Sequence, residues 1–232
     1  MKHILSTLLI LLCASSIDAQ KSNYKLNVQD FCELTVVDGI NVEYISRADS
    51  TGWATFECEQ EIASKIMFTN NTERLTIQST ADEGPIHGMP LVKVYSNSLR
   101  RVENSGDSTL RVYVNVPVKK FAALQIGNGR LDINNIDTTE LTANIAAGNG
   151  SLSINGKAQK VKLTNISAGN IEAEDLDTPA ARCYVFGKGN INITPKEQIK
   201  VYGAGSGKVY YTTPPQKISN RGIGVKALPI KK

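Results

Sequence analysis

Apolar and polar positions alternate with a period of two through most of the first hundred residues. The stretch FCELTVVDGINVEYIS (31–46) alternates on both sides of a break at Asp38-Gly39, WATFEC (53–58) alternates again, and so does RLTIQS (74–79). That period sends successive side chains to opposite faces of an extended chain, so each run predicts a half-buried β-strand. β-branched residues are frequent in these runs and Gly, Asp, Asn and Ser lie between them, the pattern of an all-β domain. Only CEQEIASKIMF (58–68) has apolar spacing that suits a helix, for two turns at most. ADEGPIHGMP (81–90) holds two glycines and two prolines and predicts a surface loop.

From about residue 96 the alternation becomes a repeat. Six segments end alike: GDSTLRV, GNGRLDI, GNGSLSI, SAGNIEA, GKGNINI and GSGKVYY. The first apolar residue after each turn is Leu110, Leu131, Leu152, Ile171, Ile191 and Val209, at spacings of 21, 21, 19, 20 and 18. Two and four positions before these markers stand Gly127, Gly129, Gly148, Gly150, Gly169, Gly187, Gly189, Gly205, Gly207 and Gly106, with Ser108 and Ser167 in the two remaining places. A period near 20 residues, with a short strand on each side of a glycine corner, is the signature of a solenoid. One repeat cannot bury its own apolar face; stacked repeats bury it against each other by parallel pairing at about 4.8 Å per turn.

The expected fold is therefore an all-β, parallel β-helix-like solenoid with turns of about 20 residues. Its single domain would span 20–232, with 24–98 an irregular first part, 99–228 the regular repeats and 221–228 a shortened last turn. Ile133, Ile154 and Ile193, two residues past their markers, should join them in the interior. Asp132, Ser153, Glu172, Asn192 and Tyr210 lie between and should form an outward row, the candidate binding surface. The strands before the glycines keep a less constant parity, which predicts bulges there.

The glycine corners admit three chemical readings. A phosphate loop requires G-x-x-x-x-G-K-[ST] leading into a helix. The nearest stretch, YGAGSGKVY (202–210), has Tyr202 in the first glycine place, Val209 in the hydroxyl place and a strand after it. A calcium β-roll requires aspartates in nonapeptide repeats, and here the period is about 20 with only Asp132 close to a glycine pair. The structural reading remains: glycine bends the chain, and Asn128 and Asn149, or one residue later Asn170 and Asn190, suit left-handed backbone.

The chain opens MKHILSTLLILLCASSIDAQ: a basic start, an apolar run over 4–12 and small residues up to Ala19. This predicts a signal peptide at 1–19 and an exported protein in the periplasm, on the outer surface or outside the cell. The run is too short to anchor in a bilayer, and Leu12 stands before Cys13 where a lipidated cysteine requires a small residue. The net charge of +4 is spread along the chain with no polybasic block, so neither nucleic acid nor membrane insertion is implied. Past residue 19 the cysteines are Cys32, Cys58 and Cys183. An oxidising compartment permits a bond between Cys32 and Cys58, both on core-facing parity, and two buried thiols fit equally well. His87 is the only histidine left, so neither a catalytic triad nor a zinc site is expected, and no cofactor is implied.

The repeats, the leading VVDGINVEYISRADS and the closing GAGSGKVYYTTPP together resemble the autotransporter adhesin "head GIN domain" family of secreted Bacteroidetes proteins. The resemblance covers essentially the whole chain after residue 19. It implies a right-handed parallel β-helix-like fold and an exported location, and brings no catalytic residues with it. The expected function is that of a non-enzymatic adhesin presenting a β-solenoid surface to glycan or protein. A polysaccharide-acting enzyme using Asp132, Glu172, Glu174 or Asp175, and a purely structural envelope protein, are the alternatives.

Overall fold

The computed structural model describes residues 21–80 and 88–230. The leader expected at 1–19, with Cys13, lies outside them, as do His87 and most of the loop expected at 81–90.

The chain winds into a β-solenoid of about 6 turns of roughly 20 residues. Two long parallel ladders run along it. One joins, in spatial order, Arg74–Ser79, Glu33–Val37, Arg101–Ser105, Val118–Ile126, the C-terminal parts of Arg130–Ala147 and Ser151–Asn165, then Ala180–Val185, Gln198–Ala204 and Lys217–Ile223. The other joins Val92–Ser96, Val42–Ser46, Thr109–Tyr113, the N-terminal parts of Arg130–Ala147 and Ser151–Asn165, Asn170–Ala173, Ile191–Ile193, Val209–Tyr211 and Ala227–Pro229.

Stacking is not in chain order at the start. The turn built from Glu33–Val37 and Val42–Ser46 sits between the one carrying Arg74–Ser79 and Val92–Ser96 and the one carrying Arg101–Ser105 and Thr109–Tyr113. Its break falls at Asp38, which takes φ 58. Parallel stacking thus already includes 33–46. The antiparallel strands all belong to the first part of the chain. Ser22–Asn27 pairs with Trp53–Cys58, which pairs with Val92–Ser96, and Ile66–Asn71 pairs with Arg74–Ser79. These strands cover one end of the stack. The helical spacing in 58–68 becomes a single turn, Gln60–Ala63. At the other end Lys217–Ile223 is an edge on which the exposed charges of Lys217 and Arg221 oppose pairing with another chain.

The marker column forms as the repeat predicts. Leu110, Leu131, Leu152, Ile171, Ile191 and Val209 stand in register and are all fully buried. Ile133 stacks with Ile154, and Ala173 with Ile193, beside them. Toward the covered end the interior is filled by rings: Phe31 edge-on to Tyr44 at 6.2 Å, Tyr24 stacked on Phe56 at 5.0 Å, and Phe56 on Phe68 at 5.9 Å. The Tyr44 hydroxyl donates to the Ser96 carbonyl (3.0 Å) and the Ser96 hydroxyl to that of Phe31 (2.6 Å), so the buried polar ends are satisfied. A bulge falls between Gln125 and Ile126, just before the glycines, and a second register shift falls after Ile133 at a corner.

Candidate functional site

The outward row of the second ladder forms as a continuous column. Asp132 pairs with Ser153, Ser153 with Glu172, Glu172 with Asn192, and Asn192 with Tyr210. All five are half-buried, their backbones fixed on both sides by the ladder. Strand register carries the column past Asp132 to Arg111, Glu43, Lys93, Thr55 and Lys25. Arg130 lies within 2.6 Å of Asp132 and 3.7 Å of Glu172, reaching across the small Ser153. Two of the four candidate carboxylates are thus engaged by one guanidinium, a pattern that fixes side chains on a surface; half-buried Glu174 and exposed Asp175 carry no ion pair among the described residues. Asn170, Glu172, Asn190, Asn192, Tyr210 and Ile230 line a shallow groove along the column.

The corners do two things, and only one follows from backbone conformation. Gly127, Gly148 and Gly205 take φ 90, 85 and 143, the positive region the bend requires. Gly129, Gly150, Gly169, Gly187, Gly189 and Gly207 do not. Each is glycine because a Cβ would run into the backbone of the turn stacked beneath it. The asparagines differ from expectation as well: none of Asn128, Asn149, Asn170 or Asn190 has positive φ. They form a side-chain ladder instead. The Asn128 backbone N–H donates to Asp107 Oδ1 (3.0 Å), Asn149 to Asn128 Oδ1 (3.1 Å), Asn190 to Asn170 Oδ1 (3.0 Å) and Lys208 to Asn190 Oδ1 (3.0 Å). The corner N–H groups point along the stack and find a side-chain oxygen of the turn below or, at Asn170, the Gly150 carbonyl (3.3 Å), so no phosphate or metal is required to satisfy them. Among the described residues no cluster of three or more metal-ligating side chains forms.

Buried amides lie behind the corners on one interior row: Asn104 beside Gln125 and, past Ile145, Asn165. Asn104 Nδ2 donates to Gln125 Oε1 (3.0 Å) and to the Ser108 carbonyl (3.0 Å). Asn165 Nδ2 donates to the Gly169 carbonyl (2.7 Å), while its Oδ1 accepts from the Ser167 N–H and hydroxyl (both 3.1 Å). All three amides are fully buried. Sequence alternation alone did not single them out, since they stand on interior parity like apolar residues. Their place six residues before Leu110, Leu131 and Ile171 is the signal that would have found them.

The bond between Cys32 and Cys58 is not formed: both are buried free thiols, as is Cys183. Cys58 packs into the apolar core, whereas Cys32 lies outside that cluster, beside the Arg100–Glu73 ion pair. Burial pushes the thiols of Cys32 and Cys58 up, with Arg100 opposing the rise at Cys32. Burial alone pushes Cys183 up to about 12. An unfolded thiol ionises near about 8.5, so the folded state holds a proton that the unfolded state loses above that pH. Stability should therefore fall as pH rises from about 8.5 toward 12. Cys183 should resist a thiol reagent at pH 8 in the native protein and react once urea unfolds it; native labelling at the unfolded rate would contradict the burial.

The repeat architecture and sequence match a family profile described as "Putative auto-transporter adhesin, head GIN domain", over residues 30–215. The chain belongs to the head GIN adhesin family. Head GIN proteins are, by that description, of a cell-surface or exported type, and no helix among the described residues is long and apolar enough to cross a membrane. No curated protein matches the chain. Among solved structures, it is similar to a putative adhesin from Bacteroides fragilis, with TM-score 0.77, 19% identity and coverage of 91% of this chain and 97% of that one. A putative adhesin from Parabacteroides merdae gives TM-score 0.70, 19% identity and coverage of 92% and 98%. A putative lipid binding protein from Parabacteroides distasonis gives 0.72, 15% identity and coverage of 92% and 98%. At these identities the likeness is one of fold, and it spans the head GIN solenoid from end to end.

Proposed function

We propose that this head GIN protein is an exported, non-enzymatic adhesin that presents the flat outer side of its solenoid to a glycan or protein surface. The observation that carries the reading is the column from Asp132 to Tyr210. It is five side chains on consecutive turns, half-buried and held at the spacing of the ladder. A side chain on a paired strand loses little freedom when a partner arrives, so contact along the column costs less ordering entropy than contact through a loop. The engagement of Asp132 and Glu172 by Arg130 favours binding over glycoside cleavage.

The test is attachment of the purified protein to cells and to an array of glycans and surface proteins. The variant Glu172→Ala/Asn192→Ala/Tyr210→Ala should bind at least about tenfold more weakly at unchanged melting temperature, the loss expected when contact residues are truncated. Full binding by that variant would remove the column from consideration. Glycan turnover that disappeared in Asp132→Asn or Glu172→Gln would replace the adhesin with an enzyme.

A further inference from the structure

The outer side of the first ladder differs from the column described above. Its register sets Thr142, Lys162, Arg182, Lys200 and Ser219 on consecutive turns. Three cations therefore stand in line at about 4.8 Å spacing. Among the described residues none of the three is ion-paired. The nearby carboxylate, Glu140, is shared by Lys120 at 3.2 Å and Lys160 at 3.9 Å. The three line a shallow hollow with Thr142, Lys160, Gln198 and that same Glu140, whose charge Lys120 and Lys160 offset. Like charges facing each other across adjacent strands are destabilising. The fold does not require them, because Thr142 and Ser219 hold the same place on neighbouring turns.

A second row runs beside the first: Asn144, Thr164, Tyr184, Tyr202 and Arg221. Tyr184 and Tyr202 stack with centroids 5.1 Å apart and 17° between planes. Lys162 Nζ, one turn back, lies 5.3 Å from the Tyr184 ring centroid. The Tyr184 ring is thus covered by a cation on one side and by Tyr202 on the other. What this pair offers outward is its hydroxyl edges, and neither hydroxyl is hydrogen-bonded among the described residues. Beyond the tyrosines the same side carries exposed Ile166 and Phe186.

We infer that this side binds a linear acidic polysaccharide laid along the solenoid axis. Carboxylate or sulfate groups would meet Lys162, Arg182 and Lys200. Sugar hydroxyls would bond the tyrosine edges, and sugar C–H faces would rest on Ile166 and Phe186. Single-stranded nucleic acid fits less well, because base stacking requires open ring faces and those of Tyr184 are closed. This site lies on a different side from the Asp132–Tyr210 column and shares with the proposed function only the exported setting.

The test compares binding of the purified protein to heparin and polygalacturonate with binding to neutral dextran, single-stranded DNA and phosphatidylserine vesicles, all at one salt concentration. The acidic polysaccharides should bind best. Lys162→Ala/Arg182→Ala/Lys200→Ala should weaken that binding by about 100-fold, on the scale of three cations each facing an anionic surface. Lys119→Ala/Lys157→Ala/Lys226→Ala removes equal charge elsewhere and should change it by less than about threefold. Tyr184→Phe/Tyr202→Phe keeps the stack and should cost about tenfold through the lost hydroxyls. Equal loss in both triple variants, preference for DNA or vesicles, or failure to bind either acidic polysaccharide would overturn the inference. Failure here together with cell attachment that depends on Glu172, Asn192 and Tyr210 would leave the adhesin reading standing. The converse result would do the opposite.

Discussion

Replacing Gly189 by alanine should destabilise the protein by about 3 kcal/mol or more, at the upper end of what overpacking a well-filled site costs. The backbone at Gly189 lies outside the left-handed region, so conformational freedom is not at issue. The added methyl would overlap the Gly169 carbonyl oxygen and come within 2.6 Å of Asn165 Nδ2. Neither neighbour is free to yield. The Gly169 carbonyl accepts the Asn165 amide at 2.7 Å, and Asn165 is fully buried and also holds Ser167. Relief would require separating two hydrogen-bonded turns. Gly39 supplies the control, since a Cβ there would meet nothing within 4 Å and its φ is unexceptional. Gly39→Ala should be neutral or stabilise slightly, by up to about 1 kcal/mol through the unfolded chain. Urea unfolding of both variants decides the matter. Equal midpoints would show that close approach between turns is not why the corners are glycine.

Why the corners are glycine was only half legible in the sequence. Composition and spacing located the corners before the markers and dismissed phosphate and calcium chemistry, but passed over Gly156, paired with Ile136 at another corner, where φ is 123 and a Cβ would run into the Ile136 carbonyl. Conformation was then the local explanation available, and it suits Gly127, Gly148 and Gly205. For Gly189 the reason lies about 20 residues away in the chain and one turn away in space, where no local window reaches. The asparagines repeat the lesson. Read singly, Asn128 looks like a residue for left-handed backbone; stacked, its amide receives the N–H of Asn149 at 3.1 Å. The interior was legible to the extent that it is apolar: Leu131 over Leu152 follows from the period alone. Asn104, Gln125 and Asn165 were hidden because alternation records which side of a strand a residue occupies, and not whether the interior there is polar.

Charge was legible in amount but not in arrangement. Along the chain the cations are dispersed, so no nucleic-acid partner is implied. Lys162, Arg182 and Lys200 each stand nine residues before a marker, at Ile171, Ile191 and Val209. A solenoid turns that periodic dispersion into a line. Net charge and the search for basic blocks assume that neighbours in sequence are neighbours in space, and here neighbours are one period apart. Reading each column through the markers finds the row from the sequence alone. It would not have shown that the tyrosine rings close on each other, which depends on side-chain rotamers.

Leu152→Ala should cost about 4 kcal/mol, toward the high end of the 2.7–5.0 range for buried leucines, because the cavity has little means of closing. Leu152 is fully buried between Leu131 on one turn and Ile171 on the next. In a helical core a neighbouring segment shifts to fill such a space. Here the strands above and below are held at ladder spacing by hydrogen bonds on both long sides of the turn, so the gap persists. In a stack of repeats each turn is stabilised largely by its two neighbours, so a loss at a central turn weakens both interfaces at once. Ala227→Gly, on the last turn with a single neighbour, should cost no more than about 1 kcal/mol. Urea midpoints measure both changes. Hydrogen exchange adds a spatial reading: amides of Arg130–Ala147 and Ser151–Asn165 should lose protection first in Leu152→Ala, and a uniform loss along the solenoid would count against nearest-neighbour coupling. Leu152 lies on the inner side next to Ser153, the residue over which Arg130 reaches to Glu172 at 3.7 Å. Loosening that turn should therefore weaken attachment through the Asp132–Tyr210 column at temperatures where the protein is still folded.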